Sequence, residues 1–203
     1  MRRYMNGWLL AGLLAAAPLW AQDLAKGIEL CQTGQHEQAA TELQGVIDRE
    51  PANAEAHYHL GMALVELSRL DEAQREFDAA REHSVGPDRL KVAEARLHME
   101  RKEMDEALTR LNEAQELNAE NADVYYYRGL IQANRQNFAE AATNLDKTIT
   151  LNPRNAQAHY YAGMAYNRTG RPDKMVDHFK IFLELAPNSP DAPKVRSLLR
   201  SVR

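Results

Sequence analysis

Residues 122–155 read ADVYYYRGLIQANRQNFAEAATNLDKTITLNPRN, and the same pattern recurs along most of the chain. Steps of 34 residues from Ala141, in the second half of this stretch, reach positions with similar surroundings. These positions are Ala39, Ala73, Ala107 and Met175. Five copies, which begin at 20, 54, 88, 122 and 156, are therefore in register without insertion or deletion. A fixed period of this length is typical of a repeat architecture, in which each unit packs only against its neighbours.

Each copy contains two helical patterns separated by a turn, with apolar residues spaced i, i+3, i+4, i+7 as one helix face requires. The first helix of each copy carries a small residue at one fixed place: Gly27, Gly61, Ala95, Gly129 and Gly163. The second helix carries a bulky residue at another: Leu43, Phe77, Leu111, Leu145 and Phe179. Three copies end at a proline, Pro51, Pro153 or Pro187, and the other two have Val85 and Ala119 there.

This combination resembles the tetratricopeptide repeat family, whose unit is a helix–turn–helix of 34 residues. The resemblance covers roughly residues 22–189. It implies an all-α fold, a right-handed superhelical solenoid of five repeats. The small residue then marks the place where the two helices of a unit cross closely.

We expect repeats at 22–53, 54–87, 88–121, 122–155 and 156–189. The third repeat is divergent, because the polar residues Lys91, Glu94 and His98 weaken its first helical pattern. Residues 190–203 form a further amphipathic helix, with an apolar face of Val195, Leu198, Leu199 and Val202. A repeat array needs such a terminal element to cover its last open surface, so we expect a C-terminal capping helix.

Residues 1–21 lie outside the repeats and read MRRYMNGWLLAGLLAAAPLWA. Two arginines, an apolar run and a small residue before a polar segment are the parts of a secretory signal peptide. We expect cleavage after Ala21 and an exported bacterial protein, periplasmic or secreted, without an integral membrane segment. An uncleaved anchor is the alternative. Cleavage would remove Arg2 and Arg3 and leave 23 basic and 29 acidic groups, a net charge of −6.

Composition and motifs argue against several classes of function. The full chain has a net charge of −4, which gives no electrostatic basis for nucleic-acid binding. No phosphate loop, nucleophile elbow or metal-ligand spacing is present, so we expect no enzyme activity, no metal and no cofactor. His57 and His159 occupy the same repeat position and are interpreted as packing residues. Cys31 is the single cysteine; it is either an intermolecular redox handle or, as we favour, a packed apolar residue.

In the resembled family, the first helices of successive repeats line a concave groove. Two repeat positions are predicted to face it here: Tyr58, Val92, Tyr126 and Tyr160 at one, and Met62, Arg96, Leu130 and Met164 at the other. An aromatic and Met-rich lining suits a peptide or helix partner. The alternative is that some of these rings pack between helices. At least one tyrosine of residues 125–127 must be core, since the three cannot face one way.

The family's carboxylate clamp for acidic C-terminal tails is absent, because its Lys and Asn positions carry Tyr, Met and His here. One ion pair across a repeat boundary is predicted, between Glu94 and Arg128, which share a repeat position in consecutive copies. The expected function is a non-catalytic scaffold of the bacterial envelope that binds a protein or peptide partner in the groove. The alternative is an accessory subunit of an envelope assembly (pilus, cytochrome-maturation or outer-membrane machinery) that uses the convex face. The sequence leaves the oligomeric state open.

Overall fold

The structure is a computed structural model that describes residues 19–201. Across this range it forms eleven α-helices and no strand, so the predicted fold class is confirmed. The helices are α1 (Leu19–Gln32), α2 (His36–Arg49), α3 (Ala54–Glu66), α4 (Leu70–Glu82), α5 (Pro87–Glu100), α6 (Met104–Leu117), α7 (Ala122–Asn134), α8 (Phe138–Leu151), α9 (Ala156–Arg168), α10 (Pro172–Leu185) and α11 (Ala192–Ser201). Residues 1–18 and 202–203, which include most of the predicted signal peptide and Val202, lie outside the described residues.

The odd-numbered helices α1 to α9 are the first helices of the repeats, and α2 to α10 are the second helices. Each first helix packs on its own second helix through the small residue that the sequence predicted. A Cβ added at Gly129 would lie 2.8 Å from Leu145 Cγ, and one added at Gly27 would lie 2.7 Å from Leu43 Cγ. Larger side chains at these positions would therefore force the paired helices apart.

The turn inside each repeat contains one residue in the left-handed region, and these residues are 34 apart. Their φ angles lie between 59° and 78°: Gly34, Ser68, Lys102, Gln136 and Gly170. Only the first and last are glycines, which adopt this conformation without a Cβ penalty. The three central repeats therefore hold residues with a Cβ in a strained backbone conformation.

Stacking of the repeats gives the array two different sides. The backbone of each first helix lies close to that of the first helix in the next repeat, whereas the backbones of consecutive second helices lie farther apart. The first helices therefore lie on the inner, concave side, and the second helices lie on the outer side. Packing of a second helix on the following first helix is more extensive at α2/α3 and α8/α9 than at α4/α5 and α6/α7.

The last helix closes the C-terminal end of the array. Ala192 and Val195 of α11 are 1% and 0% exposed, and they belong to the core cluster that includes Phe179 and Phe182. Leu198 and Leu199 pack partly buried against the same cluster. The helix thus covers the surface that a sixth repeat would occupy.

The predicted Glu94–Arg128 ion pair is wrong. Glu94 instead accepts from Arg81 at 2.8 Å and Lys91 at 3.1 Å, with Arg110 Nε 3.5 Å away. Arg128 donates to Asn112 Oδ1 at 2.9 Å. The shared repeat position faces the second helices, so α6 lies between the two side chains that were expected to meet.

Candidate partner-binding groove

The structure buries three of the eight residues that were predicted to line the concave groove. Tyr58, Val92 and Tyr160 are 6%, 1% and 5% exposed, so the expected exposure of these three is wrong. The other five are half-buried on the inner side: Met62, Arg96, Tyr126, Leu130 and Met164. The groove is therefore lined mainly at one of the two predicted repeat positions.

The buried tyrosines are covered by the next unit of the array. The Arg89 guanidinium lies 4.3 Å from the centre of the Tyr58 ring, one repeat further on. Lys194 of α11 donates to the Tyr160 hydroxyl at 2.9 Å, while Phe182 packs 5.4 Å from the Tyr160 ring. Burial raises the pKa of Tyr58 to about 12. These rings stabilise repeat stacking and present little surface to a partner.

The tyrosines of residues 125–127 divide as expected between core and surface. Tyr127 is 9% exposed and belongs to the core cluster of repeats three and four. Tyr126 is half-buried and lies 6.2 Å from the ring of Tyr161 on the next repeat. Tyr125 donates its hydroxyl hydrogen to the Ala119 carbonyl at 3.0 Å, away from the groove. Tyr126 is thus the one of the three that reaches the concave side.

An apolar cleft opens on the concave side across repeats three to five. Its volume is about 360 Å³, and its lining is Met99, Glu100, Met104, Leu130, Ile131, Ala133, Asn134 and Tyr161. Of these, only Leu130 was predicted. We define these eight residues as the apolar cleft. Two methionines, a leucine and a tyrosine ring give it the adaptable, amphipathic surface typical of peptide-binding sites.

The residues that the sequence interpretation missed lie on the inner helices, except Met104, which begins the second helix α6. Tyr161 follows the predicted Tyr160, and Met99 lies three residues after the predicted Arg96. Positions three or four apart share one helix face. The prediction that Arg96 faces the groove therefore could have been extended by one helical turn to Met99. Tyr161 carried no signal that separated it from Tyr160.

Arg96 is the basic residue among the predicted lining, and the protein holds it in place. Its guanidinium donates to Glu66 and lies 3.5 Å from Glu100, with the Tyr127 ring 5.5 Å away. Its Nε is buried without a hydrogen-bond partner. Because two carboxylates surround this guanidinium, it adds no net positive charge to the groove.

Acidic groups are in excess on the concave side. Arg89 forms a bidentate pair with Glu55, at 2.6 and 2.8 Å. Partial desolvation raises the pKa of the Asp123 carboxyl, and the positive charge of Arg89 opposes this rise. Burial lowers the pKa of His59 to about 4, so its ring is neutral at pH 7. The concave side thus carries more carboxylates than arginines, which gives it an excess of negative charge. The carboxylates are Glu55, Glu66, Glu100 and Asp123, and the arginines are Arg89 and Arg96.

A second concavity lies on the outer side, between α2 and α4. Its volume is about 440 Å³. Its walls are mostly polar and acidic, and its floor is formed by α3: Glu37, Ala40, Thr41, Gln44, Gly45, Asp48, Leu60, Leu64, Arg69, Glu72 and Glu76. Leu60 and Leu64 are each only 3% exposed, so this outer groove offers a partner little apolar area.

The remaining chemistry-bearing residues are packed. Cys31 is half-buried with its Sγ 3.8 Å from the His59 carbonyl oxygen, and burial raises its pKa to about 11. A thiol with so little thiolate at pH 7 is a poor redox handle. Among residues 19–201, no group of three or more His, Cys, Asp or Glu side chains could hold a metal ion.

Comparison with known proteins establishes the family. The tetratricopeptide repeat model matches residues 24–87 and 132–190, and a second model of the same repeat matches residues 95–136. The matches cover more than half of the chain, which therefore belongs to the tetratricopeptide repeat family. Members of this family are generally non-catalytic modules that bind protein or peptide partners.

Solved structures of the same fold include three that cover most of this chain. TTC0263, a thermophilic tetratricopeptide repeat protein of Thermus thermophilus, is 19% identical with a TM-score of 0.71, over 90% of this chain and 97% of its own. The pilF protein of Pseudomonas aeruginosa is 20% identical with a TM-score of 0.63, over 90% and 83%. YrrB, a tetratricopeptide repeat protein with an unusual peptide-binding site, is 19% identical with a TM-score of 0.53, over 90% and 100%. At these identities the likeness concerns the fold alone.

No curated protein sequence matches the chain. Within the part of the chain that the structure describes, no helix is both long and apolar enough to cross a membrane.

Proposed function

We propose that this protein is a non-catalytic scaffold that holds a segment of a partner protein in its concave groove. The observation that carries the proposal is the apolar cleft, because it offers a concave surface of Met99, Met104, Leu130 and Tyr161 on rigid helices. Helix-borne side chains are held more precisely than loop residues, and a Met-rich lining adapts to a partner's apolar side chains. Tyr126, beside Tyr161, extends this surface towards the centre of the groove.

The charges around the cleft indicate which partner segment fits. Glu100 lies in the cleft itself, and Asp123 has no ion-pair partner within 4.0 Å among the described residues. Because acidic groups outnumber basic ones on this side, a partner with apolar residues flanked by Lys or Arg would be attracted. An acidic tail would be repelled, which agrees with the missing carboxylate clamp.

A peptide display experiment tests both the cleft and the charge. A library of random 12-residue peptides is selected on the wild-type protein, and the affinity of the enriched peptides is then measured for the wild type, Leu130→Asp and Leu117→Asp. We expect the enriched sequences to combine apolar residues with Lys or Arg and to bind Leu130→Asp at least about tenfold more weakly, the equivalent of 1.4 kcal/mol. Leu117→Asp is the matched control, since Leu117 is 53% exposed on α6 outside the cleft. An acidic consensus sequence among the enriched peptides would reject the proposal. Equal binding of these peptides to Leu130→Asp and Leu117→Asp would reject it as well.

We propose in addition that the protein acts in the bacterial envelope, periplasmic or secreted. The support is the basic and apolar character of residues 1–21, with Ala21 before a polar segment. Cell fractionation followed by mass spectrometry of the N-terminus tests this directly. The expected product starts at Gln22 and is found outside the cytoplasm. A cytoplasmic chain that retains Met1 would refute the export proposal and leave the groove proposal intact.

The outer groove supports a second candidate, an accessory subunit that joins an envelope assembly through its convex face. Its acidic walls, with Glu37 and Asp48 on α2 and Glu72 and Glu76 on α4, would accept a basic partner surface. Gln44→Arg would obstruct this groove and leave the apolar cleft untouched. Loss of the native complex in Gln44→Arg, with normal assembly of Leu130→Asp, would favour the convex face.

A further inference from the structure

Two boundaries between repeats are built around the same histidine position. His57 of α3 and His159 of α9 are 8% and 3% exposed, and each directs Nε2 at the carbonyl oxygen of the proline six residues earlier. The distances are 2.9 Å to Pro51 O and 3.1 Å to Pro153 O. We call these the 1–2 joint and the 4–5 joint, after the repeats that they connect. They are the two boundaries where the packing of second on first helices is most extensive.

The proline carbonyl fixes how protons are placed on both rings. A carbonyl oxygen only accepts hydrogen bonds, so Nε2 of His57 and of His159 must carry a hydrogen. What happens at Nδ1 then depends on the residue opposite. The two joints differ at this point, because residue 76 is Glu and residue 178, at the equivalent place on α10, is His.

In the 1–2 joint, His57 Nδ1 lies 2.7 Å from Glu76 Oε2. A carboxylate also accepts hydrogen bonds, so this contact is complete when His57 carries a second proton and is an imidazolium. The exposed His83 ring stacks 5.8 Å from the His57 ring. A second proton on His57 therefore completes the hydrogen bonds of this joint and breaks none of them.

In the 4–5 joint, His159 Nδ1 lies 3.1 Å from His178 Nδ1. One of these two nitrogens must donate and the other accept. Since His159 already holds a hydrogen on Nε2, the arrangement with His159 neutral makes His178 the donor. His178 Nε2 lies 3.5 Å from Asp146 Oδ1 on α8, so a proton on His178 completes the network.

The surroundings of this pair favour one positive charge and disfavour two. Asp146 accepts from the Tyr166 hydroxyl at 2.5 Å, and Lys174 Nζ lies 3.7 Å from Asp146. The Tyr166 ring stacks on the His178 ring, with centroids 5.5 Å apart. Asp146 thus already faces one cation, Lys174, besides His178. A second proton, on His159, would break the Nδ1–Nδ1 hydrogen bond and place two imidazolium rings in contact.

We propose that the 4–5 joint is an acid-sensitive hinge, which opens when both His159 and His178 are protonated, whereas the 1–2 joint stays closed. The opening separates α9 from α10, which carry the two imidazolium rings, and loosens the C-terminal repeat and its cap. This inference is independent of what the groove binds.

The direction of the pH effect follows from the folded pKa of His159. Burial lowers this pKa and the neighbouring His178 lowers it further, while Pro153 O and Asp146 oppose the change. The unfolded chain takes up a proton near pH 6.5. Folding therefore excludes a proton below that pH, and the stability of the joint is complete above pH 6.5 and falls as the pH decreases.

Hydrogen exchange with mass spectrometry tests the hinge, with rates corrected for the intrinsic pH dependence of exchange. Between pH 7.5 and 5.5 we expect protection of α9 and α10 amides to fall about tenfold relative to that of α3 and α4, because the unfolded chain gains protons over this range and folded His159 resists them. Equal loss at both joints, or no loss at the 4–5 joint, would overturn the proposal. His59, whose pKa is also lowered, lies on α3 and would act against the expected difference.

Two reciprocal variants make the test specific for residues 76 and 178. In His178→Gln the amide can donate to neutral His159 and turn to accept from charged His159, so the selective acid loss should disappear. In Glu76→His the 1–2 joint receives the histidine pair, and α3 and α4 should lose protection in acid. A His178→Gln protein that keeps the wild-type acid loss would overturn the proposal. If that variant does not fold, an unchanged 1–2 joint in Glu76→His would overturn it equally.

Discussion

The ends of the array and its middle are held together in different ways. At the 1–2 and 4–5 joints, a proline, a buried histidine and a phenylalanine under a glycine join the helices in close contact. Around the third repeat, packing between repeats is less extensive, and Glu94 instead binds Arg81 and Lys91. The apolar cleft lies along this looser middle. The third repeat thus packs less extensively on its neighbours in the part of the array where the apolar cleft lies.

The largest expected effect is at a closely packed end. Phe179→Ala removes a fully buried ring that contacts the Gly163 backbone and the Tyr160 ring, and should lower the free energy of unfolding by about 3–5 kcal/mol. Urea denaturation followed by circular dichroism measures this. Phe77→Ala is the matched change at the other end and should cost a similar amount. A loss below about 1 kcal/mol would mean that the ring is not held as closely as its burial indicates.

A smaller effect is expected from the charged middle. Glu94→Gln leaves Arg81, Lys91 and Arg110 without their shared carboxylate and should cost about 1–2 kcal/mol at low salt. This loss should shrink in 1 M NaCl, whereas the loss from Phe179→Ala should not. Glu72→Gln, in the exposed pair with Arg69, is the control and should change the free energy of unfolding less than Glu94→Gln does. A loss of the same size at low and high salt would contradict the claim that the ion pairs of Glu94 stabilise the middle of the array.

The smallest effect distinguishes the turns of the two regions. Lys102 has a φ of 65°, in the left-handed region, and Gly170 at the equivalent turn of the last repeat has a φ of 68°. Lys102→Gly relieves a Cβ penalty of about 1–2 kcal/mol, partly offset by the greater freedom of glycine in the unfolded chain. We expect a net gain of about 0.5–1 kcal/mol in thermal or urea unfolding. Gly170→Lys should destabilise by a similar amount, and a gain there would show that the turn is not strained.

Much of the fold could be predicted from residues whose role is local. Gly129 and Leu145 fix the crossing of two helices within one repeat, and 34-residue spacing carries that geometry to every other repeat. Asn53 and Asn155 cap the helices that follow them, by accepting from Ala56 N and Ala158 N. Such features depend only on residues within one repeat or at its edge, so a repeating sequence pattern can predict them.

The site was less predictable, because exposure depends on the next repeat. Tyr58 and Tyr126 share a repeat position, yet Arg89 covers Tyr58 while Tyr126 remains half-buried. The Glu94–Arg128 prediction failed for a similar reason, since it assumed that equal positions in consecutive repeats meet. The stacking geometry of the repeats decides which side chain covers which ring. The 34-residue period alone does not predict this geometry.

Site-specific photo-crosslinking tests the central claim most directly, that the partner lies in the apolar cleft. A photoreactive amino acid is placed at position 130, and in separate chains at positions 117 and 44, in cells that make the native protein. Irradiation should give a protein adduct from position 130 alone, and mass spectrometry should locate it at a segment of apolar and basic residues. Adducts from position 44 with none from position 130 would contradict the account and place the partner on the convex face.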